Sequence, residues 1–214
     1  MDSSLRITEI FYSLQGETNT VGVPTVFIRL TGCPLRCLYC DTAYAFTGGS
    51  KLTVQHILEQ VQAYNTRYVT VTGGEPLAQP GCLDLMSKLL DRGYQVSLET
   101  SGALDVSGVD SRVVKVMDLK TPSSGEMHRN LYSNLGFLSS HDQIKFVIGN
   151  LEDYAWSKQQ LTEHDLLSRC EILFSPVAET MPAKTLAESI LADQLPVRFQ
   201  IQLHKYLWDD ARGK

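Results

Sequence analysis

The chain has 214 residues, 43% hydrophobic and 20% charged, with a formal net charge of -5. That balance predicts one globular domain over residues 1–214 with a sizeable core, and it excludes a disordered chain or two ordinary domains joined by a linker. A net negative charge disfavours a nucleic-acid polymer as direct partner, and the lack of an apolar leader or a run of 18 apolar residues points away from export and membranes, towards the cytoplasm.

The first predicted strand is Thr25-Val-Phe-Ile-Arg-Leu30, and Arg29 interrupts its apolar pattern. An inward arginine there is expensive unless it meets an anion. Directly after the strand comes Thr31-Gly-Cys33-Pro-Leu-Arg-Cys37-Leu-Tyr-Cys40-Asp-Thr42. C-x3-C-x2-C gathers three thiolates into one loop and leaves a fourth ligand unspecified, which suits a 4Fe-4S cluster with one open iron. A structural zinc site is the competing reading, although zinc usually takes C-x2-C pairs and a fourth protein ligand. Cys82 and Cys170, the other two of five cysteines, read as buried structural thiols in a reducing compartment.

Thr53 caps a predicted helix whose Val54, Ile57, Leu58 and Val61 share one face. The next strand, residues 68–72, runs into Thr72-Gly-Gly-Glu-Pro76, where two glycines let a ligand approach the backbone closely. A second helix carries Leu83, Met86, Leu89 and Leu90 and stops at Gly93. Further strands are expected at residues 95–99, 113–117, 144–148, 171–174 and 197–202, seven in all, with a third helix at 184–192. Residues 101–111 and 121–140 are Ser/Gly-rich and weakly periodic, so the helical layer should be incomplete. Strands alternating with helices predict an α/β fold with a parallel sheet that either buries both faces or curls into a barrel. In such folds functional residues sit at the carboxyl ends of strands, and Arg29, Thr72, Glu99 and Asp118 all lie there.

The cysteine loop followed one βα unit later by Gly73-Gly74-Glu75 resembles the radical S-adenosylmethionine superfamily, which implies a partial, open (βα) barrel of parallel strands. The flanking motifs, Phe11-Tyr-Ser-Leu14-Gln15-Gly16-Glu17, Gly22-Val-Pro24, Cys40-Asp41-Thr42, Glu99-Thr-Ser-Gly102 and His204-Lys205-Tyr206-Leu207, resemble more closely the 7-carboxy-7-deazaguanine synthases. The resemblance runs nearly end to end and is weakest between residues 101 and 193. It implies a lyase that contracts the ring of 6-carboxy-5,6,7,8-tetrahydropterin with loss of ammonia, on the queuosine route. It implies a 4Fe-4S cluster on Cys33, Cys37 and Cys40, and S-adenosylmethionine held by Tyr39, Cys40, Asp41, Gly74, Asp118, Leu119 and Lys120. A Mg2+ ion on Thr42 is implied as well, with substrate bound by Leu14, Gln15, Gly16, Arg29, Thr72, Glu99 and His204. It also implies a one-electron reductant such as a flavodoxin, and a homodimer. An activase that forms a glycyl radical on a partner protein is the alternative among enzymes, and a zinc-stabilised binding module without turnover is the alternative outside them.

Overall fold

A computed structural model describes residues 3–209 and 211–214. The described residues form β1 (Ser4–Leu14), β2 (Pro24–Leu30), β3 (Ser50–Thr53), β4 (Tyr68–Gly73), β5 (Gln95–Thr100), β6 (Val114–Asp118), β7 (Gln143–Ile148), β8 (Glu171–Pro176) and β9 (Arg198–Phe199). They pair in one sheet in the order β3-β1-β2-β4-β5-β6-β7-β8-β9. Pairing is antiparallel within β3-β1-β2 and parallel from β2 to β9. The two end strands do not pair with each other, so the sheet curls without closing.

Five α-helices complete the described elements: α1 (Val54–Gln62), α2 (Gly81–Asp91), α3 (Leu151–Glu163), α4 (Ala183–Ala192) and α5 (Leu203–Trp208). The Thr53 hydroxyl accepts the His56 N–H at 3.1 Å, satisfying an otherwise orphaned donor at the start of α1. Its predicted face, Val54, Ile57, Leu58 and Val61, is fully buried. Helix α3 escaped the sequence reading because its buried side includes Asp153, Ser157 and Gln160 beside Tyr154 and Leu161, which blurs the apolar stripe.

Nine strands replace the seven expected. Strand β1 was missed because its burial pattern lacks a sustained alternation, and β3 has four mostly exposed residues. The segment 197–202 shrinks to Arg198–Phe199 because only Leu173 and Phe174 of β8 pair with it. The expected gap in the helical layer is present: β5 runs to β6 without an α-helix, and short 3-10 turns link β6 to β7.

Alternation along the strands separates two environments. Val26, Ile28, Leu30, Val69, Val71 and Leu98 pack outward against α1 and α2, and Met117, Phe146 and Phe174 belong to a second cluster with residues of α3 and α4. The alternate positions Phe27, Arg29, Thr72, Glu99, Asp118, Lys145 and Val147 line a concave interior. One irregularity sets what β1 contributes. Ile7 pairs with Leu30 but Glu9, not Thr8, pairs with Arg29, so Thr8 is a bulge. Leu5 and Ile7 face the outer core before it and Ile10 packs there after it. The one-residue slip therefore turns Glu9 and Phe11 inward.

Candidate functional site

The interior opens at the carboxyl ends of the parallel strands into a cavity of about 550 Å³. At one end stand Cys33, Cys37 and Cys40, all half-buried and free of disulfides. Burial pushes each thiol above its ordinary value, and the Lys120 charge offsets that only in part. Three thiols gathered in this way favour ionisation only when a cationic group joins them.

The backbone around the cysteines fits such a group. Gly74 packs so tightly under the cysteine loop that a Cβ there would meet the Gly32 carbonyl oxygen at 2.2 Å and Cys33 Cβ at 3.0 Å. Gly73 has φ +143°, and a Cβ on it would lie 2.3 Å from Leu30 O. Glu75 N donates to Gly32 O at 2.7 Å, tying the two loops together. The Glu75 carboxylate is fully buried and accepts from Thr100 Oγ1 at 3.0 Å and from Ser101 N at 2.7 Å. It anchors the loop rather than facing ligand. Among the described residues, the one set of three metal-ligating side chains converging within 4.8 Å is Glu17, Asp41 and His204.

Beside the cysteines lie Tyr39, Asp41, Gly74, Asp118 and Lys120. Lys120 Nζ donates to Asp118 Oδ2 at 2.5 Å. Burial alone would raise Asp118, but the charges of Lys120 and Lys145 outweigh it and hold the carboxyl below its ordinary value. Leu119 is different. Its side chain is buried in the second apolar cluster, away from the cavity lining.

Away from the cysteines the cavity is built from side chains distant in sequence. Arg29 Nε donates to Glu9 Oε1 at 2.7 Å, and the same oxygen accepts the Tyr44 hydroxyl at 2.8 Å. The guanidinium also lies 5.6 Å from the Phe11 ring centroid and 5.9 Å from that of Tyr44. Arg29 thus faces inward and lines the cavity. Glu99 accepts from Thr72 Oγ1 at 2.9 Å and from Gln15 Nε2 at 3.3 Å, and burial pushes its carboxyl upward. Gln15 also donates to Thr70 Oγ1 at 3.1 Å and accepts the Glu17 N–H at 2.8 Å. With its amide committed to protein partners, Gln15 holds the Glu99 carboxylate and the Glu17 backbone. Leu14 and Gly16, on either side, line the same wall.

His204, on α5, brings Nδ1 to 3.8 Å from Glu17 Oε1. Leu203 N donates to Gly16 O at 3.3 Å, so the C-terminal helix is fastened to the turn after β1. Gln202 Nε2 spans Glu17 at 3.1 Å and Asp41 at 2.7 Å. Thr42 Oγ1 donates to Asp41 Oδ1 at 2.7 Å. Arg212 lies over the Tyr44 ring at 4.2 Å and, with residues 211–214, lines the cavity mouth.

Sequence reasoning quoted Glu17 within a motif without assigning it a role, and it missed Lys145, Glu9, Tyr44 and Gln202. Lys145 Nζ lies 3.0 Å from Glu17 Oε2 and 3.6 Å from Asp118 Oδ1, joining the two ends of the cavity. Burial would raise Glu17, but Lys145 and His204 pull it from 4.5 to about 2. A lysine inside Ile144-Lys-Phe-Val-Ile148 carried the same signal as Arg29, a cation in an apolar strand, and could have been found by it.

A model of the radical SAM superfamily matches residues 27–118, which span the cysteine loop, the Gly-Gly-Glu loop and β6. A 7-carboxy-7-deazaguanine synthase of Chlorobaculum tepidum is 45% identical over 99% of this chain and 98% of its own length. One from Koribacter versatilis is 39% identical over 95% and 97%. The chain belongs to the 7-carboxy-7-deazaguanine synthase family. The crystal structure of QueE from Escherichia coli superposes with a TM-score of 0.75 at 25% identity, covering 93% of this chain and 94% of that one. Membership brings a 4Fe-4S cluster and S-adenosylmethionine, and it does not favour the activase alternative.

Proposed function

We propose that the chain is a lyase that contracts 6-carboxy-5,6,7,8-tetrahydropterin to 7-carboxy-7-deazaguanine, releasing ammonia, for 7-deazapurine and queuosine synthesis. One observation carries the reading: a single cavity joins a three-cysteine loop to a wall bearing Arg29, Glu99, Glu17 and His204. Substrate and products balance as a rearrangement plus ammonia, so the conversion needs no net oxidant.

Cys33, Cys37 and Cys40 would hold the cluster, leaving one iron for S-adenosylmethionine, and together these groups supply the 5'-deoxyadenosyl radical that starts the reaction. Gly74 would admit the methionine end, and Tyr39, Asp41, Asp118 and Lys120 would frame the remainder. Leu119 contributes through the backbone alone. Arg29 would pair with the substrate carboxylate and so orient the adjacent carbon. Glu99, which already accepts from Thr72 and Gln15, would accept from the donor-rich edge of the pterin, with Leu14 and Gly16 beside it. Glu17 and His204 would hold the far rim, while Gln15 acts through Glu17 and Glu99.

The donors around Thr42 support Mg2+, a hard cation that prefers oxygen ligands. Its hydroxyl adjoins Asp41, whose carboxylate converges with Glu17 and His204 within 4.8 Å. The reading further includes one domain over residues 1–214, a flavodoxin-type reductant, a homodimer and a cytoplasmic location. No helix among the described residues is long and apolar enough to cross a membrane.

The test is anaerobic reconstitution followed by incubation with the carboxytetrahydropterin, S-adenosylmethionine and a reductant. Formation of 7-carboxy-7-deazaguanine is expected. Cleavage of S-adenosylmethionine without that product, at saturating substrate, would contradict the assignment.

A further inference from the structure

The guanidinium of Arg29 is held from behind. Glu9 Oε1 takes the Nε hydrogen at 2.7 Å and, through the same oxygen, the Tyr44 hydroxyl at 2.8 Å. Both members of the ion pair are mostly buried, with side-chain exposures of 17% for Arg29 and 21% for Glu9. Phe11 and Tyr44 lie along the guanidinium at 5.6 and 5.9 Å, and Phe11 in turn stacks on Phe27 at 5.0 Å. Among the described residues, no protein acceptor meets the two Nη groups. The fork edge is thus left for an incoming anion.

Glu9 reaches this position only through the bulge at Thr8. Leu5 and Ile7 point to the outer core, and in a regular strand Glu9 would follow them. The slipped register instead sets Glu9 opposite Arg29. The displaced Thr8 is itself tied down by a 2.7 Å hydrogen bond between its hydroxyl and that of Thr31, the residue that opens the cysteine loop. A bulge fixed at this point re-aims one carboxylate, which is a known use of the device. An arginine buried without a partner would bear a large desolvation cost or swing towards solvent. Glu9 removes that cost while occupying only the Nε side.

From this geometry we infer that Glu9 is a positioning residue for the reaction: it clamps Arg29 by its Nε edge, with Tyr44 as brace, so that the Nη edge presents a fixed fork to the substrate carboxylate. The inference rests on the assignment of Arg29 to that carboxylate. Glu9 itself does not line the cavity and acts through Arg29.

Binding measurements on the reconstituted holoenzyme separate the two claims. The ligands are 6-carboxytetrahydropterin and a tetrahydropterin lacking the carboxylate. The proteins are the parent, Glu9→Gln, Arg29→Ala and the double variant. Arg29→Ala should erase the preference for the carboxylated ligand; if it keeps that preference, the role of Arg29 itself is wrong. Glu9→Gln should weaken the carboxylated ligand about tenfold and leave the other unchanged, the scale of one charge-assisted hydrogen bond. In the Arg29→Ala background it should add nothing. Equal weakening of both ligands would mean a merely structural role, and unchanged affinity for both would mean none; either overturns the inference. Tyr44→Phe keeps the ring and removes only the brace, so it should lower the same preference by about threefold. It decides the matter if Glu9→Gln does not fold. No change of preference in Tyr44→Phe would then overturn the clamp.

Discussion

The two ends of the cavity are made differently. At the cysteine end the parts come as two short motifs: three thiols within residues 33–40 and a Gly-Gly-Glu turn at 73–75 pressed under them, with glycine required where a Cβ would strike backbone at 2.2 to 2.3 Å. At the far end the parts come from across the chain: Glu9 and Glu17 from its start, Glu99 and Lys145 from two strands, and Gln202 and His204 from its last fifth. Local backbone geometry builds the first, and tertiary structure alone assembles the second. On the proposed function, radical generation and substrate steering then draw on largely separate sets of residues, with Lys145 touching both.

The largest effects should come from the cysteine end. Replacing any one of Cys33, Cys37 or Cys40 by Ala should remove the cluster's visible absorbance and all cleavage of S-adenosylmethionine. Cys82→Ala should retain both, because Cys82 is fully buried in the outer core, where burial pushes its thiol up to about 12. Iron, sulfide and absorbance measurements on the reconstituted variants check this, and loss of the cluster in a folded Cys82→Ala would break the three-ligand assignment.

Lys145 tests how far the two ends are joined. Lys145→Met leaves Glu17 and Asp118 without their shared cation, and breaking a buried pair of this kind costs about 3 to 5 kcal/mol. Denaturant unfolding should register that loss, and S-adenosylmethionine and substrate should both bind more weakly in the variant. A stability within about 0.5 kcal/mol of the parent would show that the network is not a unit.

A smaller, pH-dependent effect belongs to Glu17. Its folded value of about 2 lies below the ordinary 4.5, so its ionised form stabilises the folded state above pH 4.5, and that contribution fades as pH falls towards 2. The stability gap between the parent and Glu17→Gln should therefore be widest near neutrality and close in acid. A gap that widens as pH falls would reverse the sign and discard the Lys145 pairing.

The smallest change is expected from Thr42→Ala. The cluster should survive, turnover should fall by about tenfold or less, and the response to added Mg2+ should flatten, since one hydroxyl is a single ligand among several. An unchanged magnesium response would leave Thr42 with the contact the structure shows, its hydrogen bond to Asp41 at the end of the cysteine loop.

This contrast also sets what could be read beforehand. The cysteine loop, the Gly-Gly-Glu turn, the α1 cap and the incomplete helical layer follow from spacing, φ and periodicity within short windows. Arg29 was visible because a cation inside an apolar strand demands an anion. Glu9 was not, since its inward direction depends on the bulge at Thr8, which reverses the alternation halfway along β1. Gln15 shows the opposite case: its motif marked it as a site residue, but only the fold shows its amide spent on Thr70, Glu99 and Glu17. Leu119 was carried by its neighbours Asp118 and Lys120, and strand alternation sends its side chain to the core.

The most direct test of separability is the ratio of 7-carboxy-7-deazaguanine to 5'-deoxyadenosine formed by Arg29→Lys. Lysine keeps the positive charge and loses the fork, so the radical source should remain intact while the carboxylate is held loosely. Losing a charge-assisted bond of about 1.5 to 3 kcal/mol should weaken substrate roughly tenfold to a hundredfold and lower the ratio accordingly, with cleavage of S-adenosylmethionine largely retained. If product and 5'-deoxyadenosine instead fall together and the ratio stays at the parental value, the two ends act as one and the account is wrong.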